Sequence, residues 1–151
     1  MTTKAIKSSF HLRPYVGVND VRFGMRPAKV SALLGSPNVV DSNAFGEIDQ
    51  HHGALRVAFG VHDEGAVEFG LTPACNVFIG GVSLFDSDDP IAVLVQLDSD
   101  PRLLFGFLVF QSIGITLTGF HDGDTSQRAA CLFARGRFDR FATDMTPYIV
   151  S

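Results

Sequence analysis

Apolar and polar residues alternate through the middle of the chain. Every second residue is apolar across residues 55–61 and again across residues 67–71, and the turn sequence HDEG separates the two runs. A period of two is typical of strands with one buried face, and the glycine of the turn adopts a positive φ at little cost. The pattern therefore predicts a β-hairpin. Residues 75–79, which Gly80 and Gly81 follow, predict a further strand.

Two segments that begin with proline predict short helices. In residues 26–37, RPAKVSALLGSP, Pro27 suits the first helical turn, apolar residues recur three or four positions apart, and Gly35 ends the helix. In residues 88–98, DDPIAVLVQLD, an aspartate occupies the N-cap position directly before Pro90. The β-branched residues of this second segment leave a strand as the alternative there.

The order of elements in the first half recurs in the second half. Strands are predicted for residues 103–110, 113–119 and 128–135, and the turn HDGD before the last strand corresponds to the earlier HDEG. The sequence therefore predicts an α+β domain of two tandem α-βββ units, with pseudo-repeats over residues 16–81 and 82–136. Their strands are expected to form a twisted antiparallel sheet with short helices packed on one face.

Weaker patterns cover the rest of the chain. Residues 1–15 predict a loose lead-in or an edge strand, and residues 16–23 predict a short strand. The polar, glycine-containing residues 38–53 predict a loop or an irregular edge strand. In the last element, Phe138 and Phe141 are predicted to cover the sheet.

Length and composition fit a single domain over residues 1–151. The chain has 46% hydrophobic residues and a net charge of -4, which excludes intrinsic disorder as the main state. Its longest apolar stretch, residues 103–117, is shorter than the roughly 20 residues of a membrane span, and no secretory signal is visible. Cys75 and Cys131 lie in separate apolar runs and are predicted to be buried, reduced thiols. We therefore expect a cytoplasmic protein without membrane contact.

Sequence motifs of catalysis and cofactor binding are missing. HExxH, GxSxG, a Walker motif and GxGxxG are all absent, and spacing distinguishes no pair of carboxylates. We therefore predict a protein that is not an enzyme, with no catalytic residues, no metal and no cofactor. The alternative is a small-molecule-binding or metal-dependent hydrolytic domain that uses His62, His121 and the aspartates of their turns.

Charge is distributed unevenly along the chain. Residues 1–40 hold six basic residues and one acidic residue, whereas residues 41–100 hold eleven acidic residues and one basic residue. If both HD turns lie at one end of the sheet, their acids form a rim that attracts a basic protein partner and repels nucleic acid. Ordinary solvated loops are the alternative interpretation. The candidate partner-binding residues are Asp63, Glu64, Asp86, Asp88, Asp89, Asp122 and Asp124.

A family resemblance is carried by VNDVRFGMRPAKVSALLGSP, residues 18–37. This segment resembles the opening of small bacterial proteins with the pattern FGM-x4-V-x2-LLG-x-P. It is also similar to the opening of the fold shared by β-lactamase-inhibitor proteins and outer-membrane-assembly lipoproteins. That resemblance implies short α-β units around a twisted antiparallel sheet, in proteins that work by binding other proteins. A general likeness to the immunity proteins that neutralise bacterial toxins points the same way.

Together these observations favour a cytoplasmic protein-binding module. The most direct form is an immunity-type inhibitor whose acidic surface engages a basic toxin or effector, with no direct binding of nucleic acid. A homodimer that pairs through an exposed sheet edge is a further interpretation.

Overall fold

Antiparallel strands dominate the structure, a computed structural model that describes residues 8–62 and 64–149. The strands are β1 (Ser9–Arg13), β2 (Gly17–Val18), β3 (Val21–Arg22), β4 (Val39–Ser42), β5 (Ile48–His52), β6 (Leu55–Phe59), β7 (Ala66–Leu71), β8 (Asn76–Ile79), β9 (Val82–Ser83), β10 (Arg102–Leu104), β11 (Phe107–Phe110), β12 (Ile115–Thr118), β13 (Ala129–Phe133) and β14 (Thr146–Pro147). The helices are α1 (Pro27–Leu34), α2 (Pro90–Val95) and two 3-10 helices, Thr125–Gln127 and Asp139–Asp144.

The main sheet has the strand order β14-β10-β11-β12-β13-β7-β6-β5-β4, and all of its neighbouring strands are antiparallel. The strands that follow α1 and those that follow α2 form two meanders, which join where β7 pairs with β13. The α+β class with antiparallel sheet and short helices is confirmed. In the described residues, β4 to β7 follow α1 in this sheet, whereas β8 belongs to a second sheet.

The second sheet has the order β3-β2-β1-β8-β9, and β1 lies parallel to β8. Phe10 and Leu12 of β1 are buried in the core. The expected loose or edge-forming lead-in is therefore wrong for residues 9–13, which form an interior strand. Residues 16–23, expected to be one strand, instead form the hairpin of β2 and β3, because Asn19 adopts a φ of 52° in the turn between them.

Both predicted helices are confirmed. Pro27 begins α1, and Pro90 begins α2 with Asp89 as its N-cap, whose Oδ1 accepts a hydrogen bond from the Ala92 amide (3.1 Å). Val30 of α1 and Leu94 of α2 are fully buried in the core formed by one face of the main sheet. No helix of the described ranges is long and apolar enough to cross a membrane.

The opposite face of the main sheet carries a smaller apolar cluster. Phe133 and Phe138 are buried in this cluster, and Phe141 packs against it. The 3-10 helix Asp139–Asp144 therefore lies over this face, as predicted for Phe138 and Phe141. The rest of the opposite face holds polar and charged side chains, since strand residues alternate between the two faces.

Two segments differ from their predicted structure. Residues 38–53 form the hairpin of β4 and β5, of which β4 is an exposed edge strand. Residues 103–110 form two strands rather than one, because Phe105 and Gly106 make a tight turn at φ values of 49° and 90° between β10 and β11.

Candidate functional site

The two HD turns lie at opposite ends of the main sheet. β7 and β13 are antiparallel, with Phe133 opposite Glu68 and Ala130 opposite Leu71. The turn that leads into β7 therefore lies at the other end from the turn that leads into β13. The expected acidic rim at one end of the sheet is wrong, because the two meanders join through antiparallel last strands. For the same reason His62 and His121 do not share a site, contrary to the alternative interpretation.

Five of the candidate acids nevertheless lie on two segments that the structure brings next to each other. The rings of Phe85 and Phe120 stack at 5.9 Å between centroids, which places the segment after Phe85 next to the turn after Phe120. All five side chains belong to exposed residues. We call them the aspartate patch: Asp86, Asp88, Asp89, Asp122 and Asp124. Glu64 is exposed at the opposite end of the sheet, and Asp63 lies outside the described residues.

Local hydrogen bonds hold the aspartate patch in place. Ser83 Oγ donates to Asp86 Oδ2 (3.1 Å), the Asp124 amide donates to Asp122 Oδ1 (3.1 Å), and Ser126 Oγ donates to Asp124 Oδ1 (2.6 Å). The guanidinium of Arg128 lies 4.8 Å from the centroid of the Phe120 ring. The patch therefore presents several exposed carboxylates in defined positions beside two half-buried aromatic rings, which suits contact with a cationic surface.

A second polar feature, an ion-pair network, lies on the face of the main sheet opposite the helices. Arg137 binds Glu47 through two bonds of 2.8 Å and donates to Glu68 Oε1 at 3.2 Å. Arg56 donates to Glu68 Oε2 at 2.5 Å and to Asp49 Oδ1 at 3.1 Å. Glu68 therefore links the two arginines. This network was not predicted from the sequence, although Arg56 is the single basic residue among residues 41–100.

The network changes the acid–base chemistry of its members. The hydrogen bonds from Arg137 hold the pKa of Glu47 below its ordinary value. Burial raises the pKa of the Cys131 thiol to about 11, even though Arg56 lies 3.6 Å from its sulfur. Cys131 is therefore a neutral thiol near pH 7 and lacks the thiolate character of a nucleophile.

The lowered pKa of Glu47 predicts a loss of stability in acid. A carboxylate with a lowered folded pKa stabilises the fold above its ordinary pKa, and this contribution disappears as the pH falls through the folded pKa. The loss amounts to about 1.4 kcal/mol for each unit by which the pKa is lowered. Urea unfolding at pH values between about 6 and 3 measures it, and Glu47→Gln is expected to flatten the dependence. If the free energy of unfolding falls as steeply with pH in Glu47→Gln as in the natural chain, Glu47 is not the source of the acid sensitivity.

Comparison with known proteins identifies no family for this chain. No protein-family model matches the chain, and neither a curated protein nor a solved structure matches it. Within residues 8–62 and 64–149, no group of three or more histidine, cysteine or acidic side chains is arranged to hold a metal ion.

Proposed function

We propose that this chain is a protein-binding module of the cytoplasm, and specifically an immunity-type inhibitor that neutralises a bacterial toxin or effector. The observation that carries the proposal is the aspartate patch, which gathers carboxylates from two separate segments beside Phe85 and Phe120. A concentrated charge of one sign speeds association with a partner of the opposite sign. Toxins that act on nucleic acid carry such basic surfaces, and the patch would cover one of them.

Pre-organisation supports this proposal. Asp89 is held as the cap of α2, and the turn with Asp122 and Asp124 carries hydrogen bonds to both of their carboxylates. A patch that is ordered before binding loses less conformational entropy when the partner arrives. The same negative charge disfavours a direct complex with DNA or RNA, since phosphates would face carboxylates.

We extend the proposal to the division of the chain into two similar units. We infer that the chain consists of two tandem α-βββ units over residues 16–81 and 82–136. The support is that each proline-started helix precedes an antiparallel meander of the main sheet, although each meander has four strands, β4 to β7 and β10 to β13, rather than three. Such a repeat also explains why the turns with His62 and His121 have similar sequences while lying at opposite ends of the sheet.

Neutralising the patch is expected to slow association with the partner. The test variant carries Asp86→Asn, Asp88→Asn, Asp122→Asn and Asp124→Asn, and it keeps Asp89 because that side chain caps α2. Asparagine retains the acceptor oxygens of the turn. With the protein encoded by the neighbouring reading frame as the probe, the association rate at low salt should fall about tenfold or more.

The matched control neutralises an equal number of exposed acids outside the patch. It carries Asp20→Asn, Asp41→Asn, Asp100→Asn and Asp144→Asn, so its net charge equals that of the test variant. We expect this control to associate with the partner nearly as fast as the natural chain does. Equal slowing of both variants would show that net charge acts without a specific surface, and no slowing in either would contradict the proposal.

A further inference from the structure

Two hairpin turns from opposite edges of the main sheet meet over the face that carries the ion-pair network. Phe45 lies in the turn between β4 and β5, and Phe105 lies in the turn between β10 and β11. The ring of Phe141 contacts both, with centroid distances of 6.4 Å to Phe45 and 5.2 Å to Phe105. The sheet must therefore curl so that this face is concave. We call these three rings the aromatic clasp.

A cavity of about 260 Å³ lies beneath the aromatic clasp. Phenylalanine rings form most of its wall, and two threonines, a thiol and a carboxylate contribute the polar atoms. Its lining residues are Phe45, Glu68, Phe105, Phe107, Thr116, Thr118, Cys131, Phe138 and Phe141. Binding sites for small molecules share this combination of an apolar wall with a few convergent polar groups.

Phe105 occupies a backbone conformation that its side chain does not favour. Its φ of 49° is followed by 90° at Gly106, so both residues of this tight turn are left-handed. Asparagine followed by glycine is the preferred pair in such a turn, because a bulky side chain is strained there. The ring is 67% exposed, so core packing does not compensate for the strain. Strained residues of this kind concentrate where a ligand is clamped.

The polar groups that line the cavity indicate which charge a bound ligand carries. Both oxygens of Glu68 already accept hydrogen bonds from Arg56 and Arg137. Arg140 lies over the rings of Phe45 and Phe141, at 4.6 and 4.8 Å from their centroids, but it does not line the cavity. A charged ligand would therefore lose its hydration without gaining a counter-ion inside the cavity, so the cavity favours a neutral molecule. The hydroxyl of Thr118 donates to the Gln127 carbonyl oxygen at 2.8 Å, which leaves its lone pairs to accept a hydrogen bond. The ligand should therefore carry an N–H or O–H donor.

The volume and shape of the cavity define the size of a ligand. An apolar cavity of about 150 Å³ accommodates benzene. The cavity beneath the aromatic clasp is larger, at about 260 Å³, and fits one ring with substituents or two fused rings. Phenylalanine walls favour planar aromatic guests, because aromatic pairs stabilise one another in edge-to-face and offset-stacked arrangements.

We propose that the cavity beneath the aromatic clasp binds a neutral, planar aromatic molecule of one or two rings that carries one N–H or O–H donor. Indole and naphthol are members of this class. Phe105 acts as a wall that closes over the ligand, and Thr118 accepts the hydrogen bond. None of the residues that line the cavity belongs to the aspartate patch, and the site does not depend on the proposed protein partner.

Titration of the full chain with indole tests the proposal. The chain contains no tryptophan, so indole emission excited near the red edge of tyrosine absorption reports on the ligand alone. We expect saturable binding of indole, weaker binding of 1-methylindole, which lacks the donor, and no binding of indole-3-acetate, which is charged. Absence of saturable indole binding, or equal affinity for all three probes, would overturn the proposal.

Three variants separate binding from folding. Phe105→Asn relieves the strained turn, so its melting temperature should stay equal or rise while its indole affinity falls roughly three- to tenfold through loss of an aromatic wall. Thr118→Val should weaken indole but not 1-methylindole. Leu97→Asn, at an exposed apolar residue outside the cavity, should leave indole binding unchanged. Full indole affinity in both Phe105→Asn and Thr118→Val would contradict the binding of indole in this cavity.

Discussion

Glu68→Gln is expected to destabilise the fold by about 1.5–3 kcal/mol, the usual contribution of hydrogen bonds to charged groups. Glu68 is the link of the ion-pair network, since its two oxygens bind Arg56 at 2.5 Å and Arg137 at 3.2 Å. Its side chain is only 13% exposed, so water has little access to replace the hydrogen bonds that the carboxylate accepts. Glutamine keeps the shape of the side chain but removes the charge that Arg56 and Arg137 share, while Asp49 and Glu47 remain as their counter-ions.

Urea unfolding of Glu68→Gln at pH 7 measures this effect, with Asp100→Asn as the control. Asp100 pairs with Arg102 at 3.0 Å, but its side chain is 69% exposed. An exposed pair contributes about 0–1 kcal/mol, so the control should remain close to the natural chain. Equal losses in the two variants would mean that the network contributes no more than a surface pair.

Gly119→Ala is the second substitution with a large expected effect. Gly119 adopts a φ of 80° at the start of the turn that carries Asp122 and Asp124. A Cβ there would lie 2.6 Å from the Arg128 amide nitrogen and 2.6 Å from the Asp124 carbonyl oxygen. Both are backbone atoms, so the clash adds about 1–3 kcal/mol to the roughly 1–2 kcal/mol cost of a left-handed alanine.

Gly123→Ala separates the two contributions within the same turn. Gly123 has a similar φ of 73°, but a Cβ there meets nothing within 4 Å. We expect this variant to show only the cost of the backbone conformation, and therefore a smaller drop in melting temperature than Gly119→Ala. Equal drops in melting temperature would show that the backbone around Gly119 moves to accommodate the Cβ without an energetic cost.

Local signals were sufficient to predict the helices. Pro27 and Gly35 mark the two ends of α1, and Asp89 before Pro90 marks the start of α2. These signals act within one helical turn and do not depend on distant parts of the chain. The interior position of β1 was not predicted, because β1 pairs in parallel with β8, from which more than 60 residues of sequence separate it.

Non-local pairing also explains the error about the acidic turns. Their positions depend on whether β7 and β13 run parallel or antiparallel, and no local pattern in the sequence specifies this choice. The same pairing brings Glu68 of β7 near Arg137, which follows β13. The turn at Phe105 was missed for another reason, since phenylalanine is not a residue that normally marks a left-handed turn.

Co-expression tests whether the aspartate patch neutralises a toxin or effector. The protein encoded by the neighbouring reading frame is expressed in a heterologous bacterium alone, with this chain, with the neutralised patch variant, and with its matched control. We expect the neighbour to stop growth, the natural chain and the control to restore growth and co-purify with it, and the patch variant to restore growth poorly. A harmless neighbour, or full rescue by the patch variant, would overturn the proposed function.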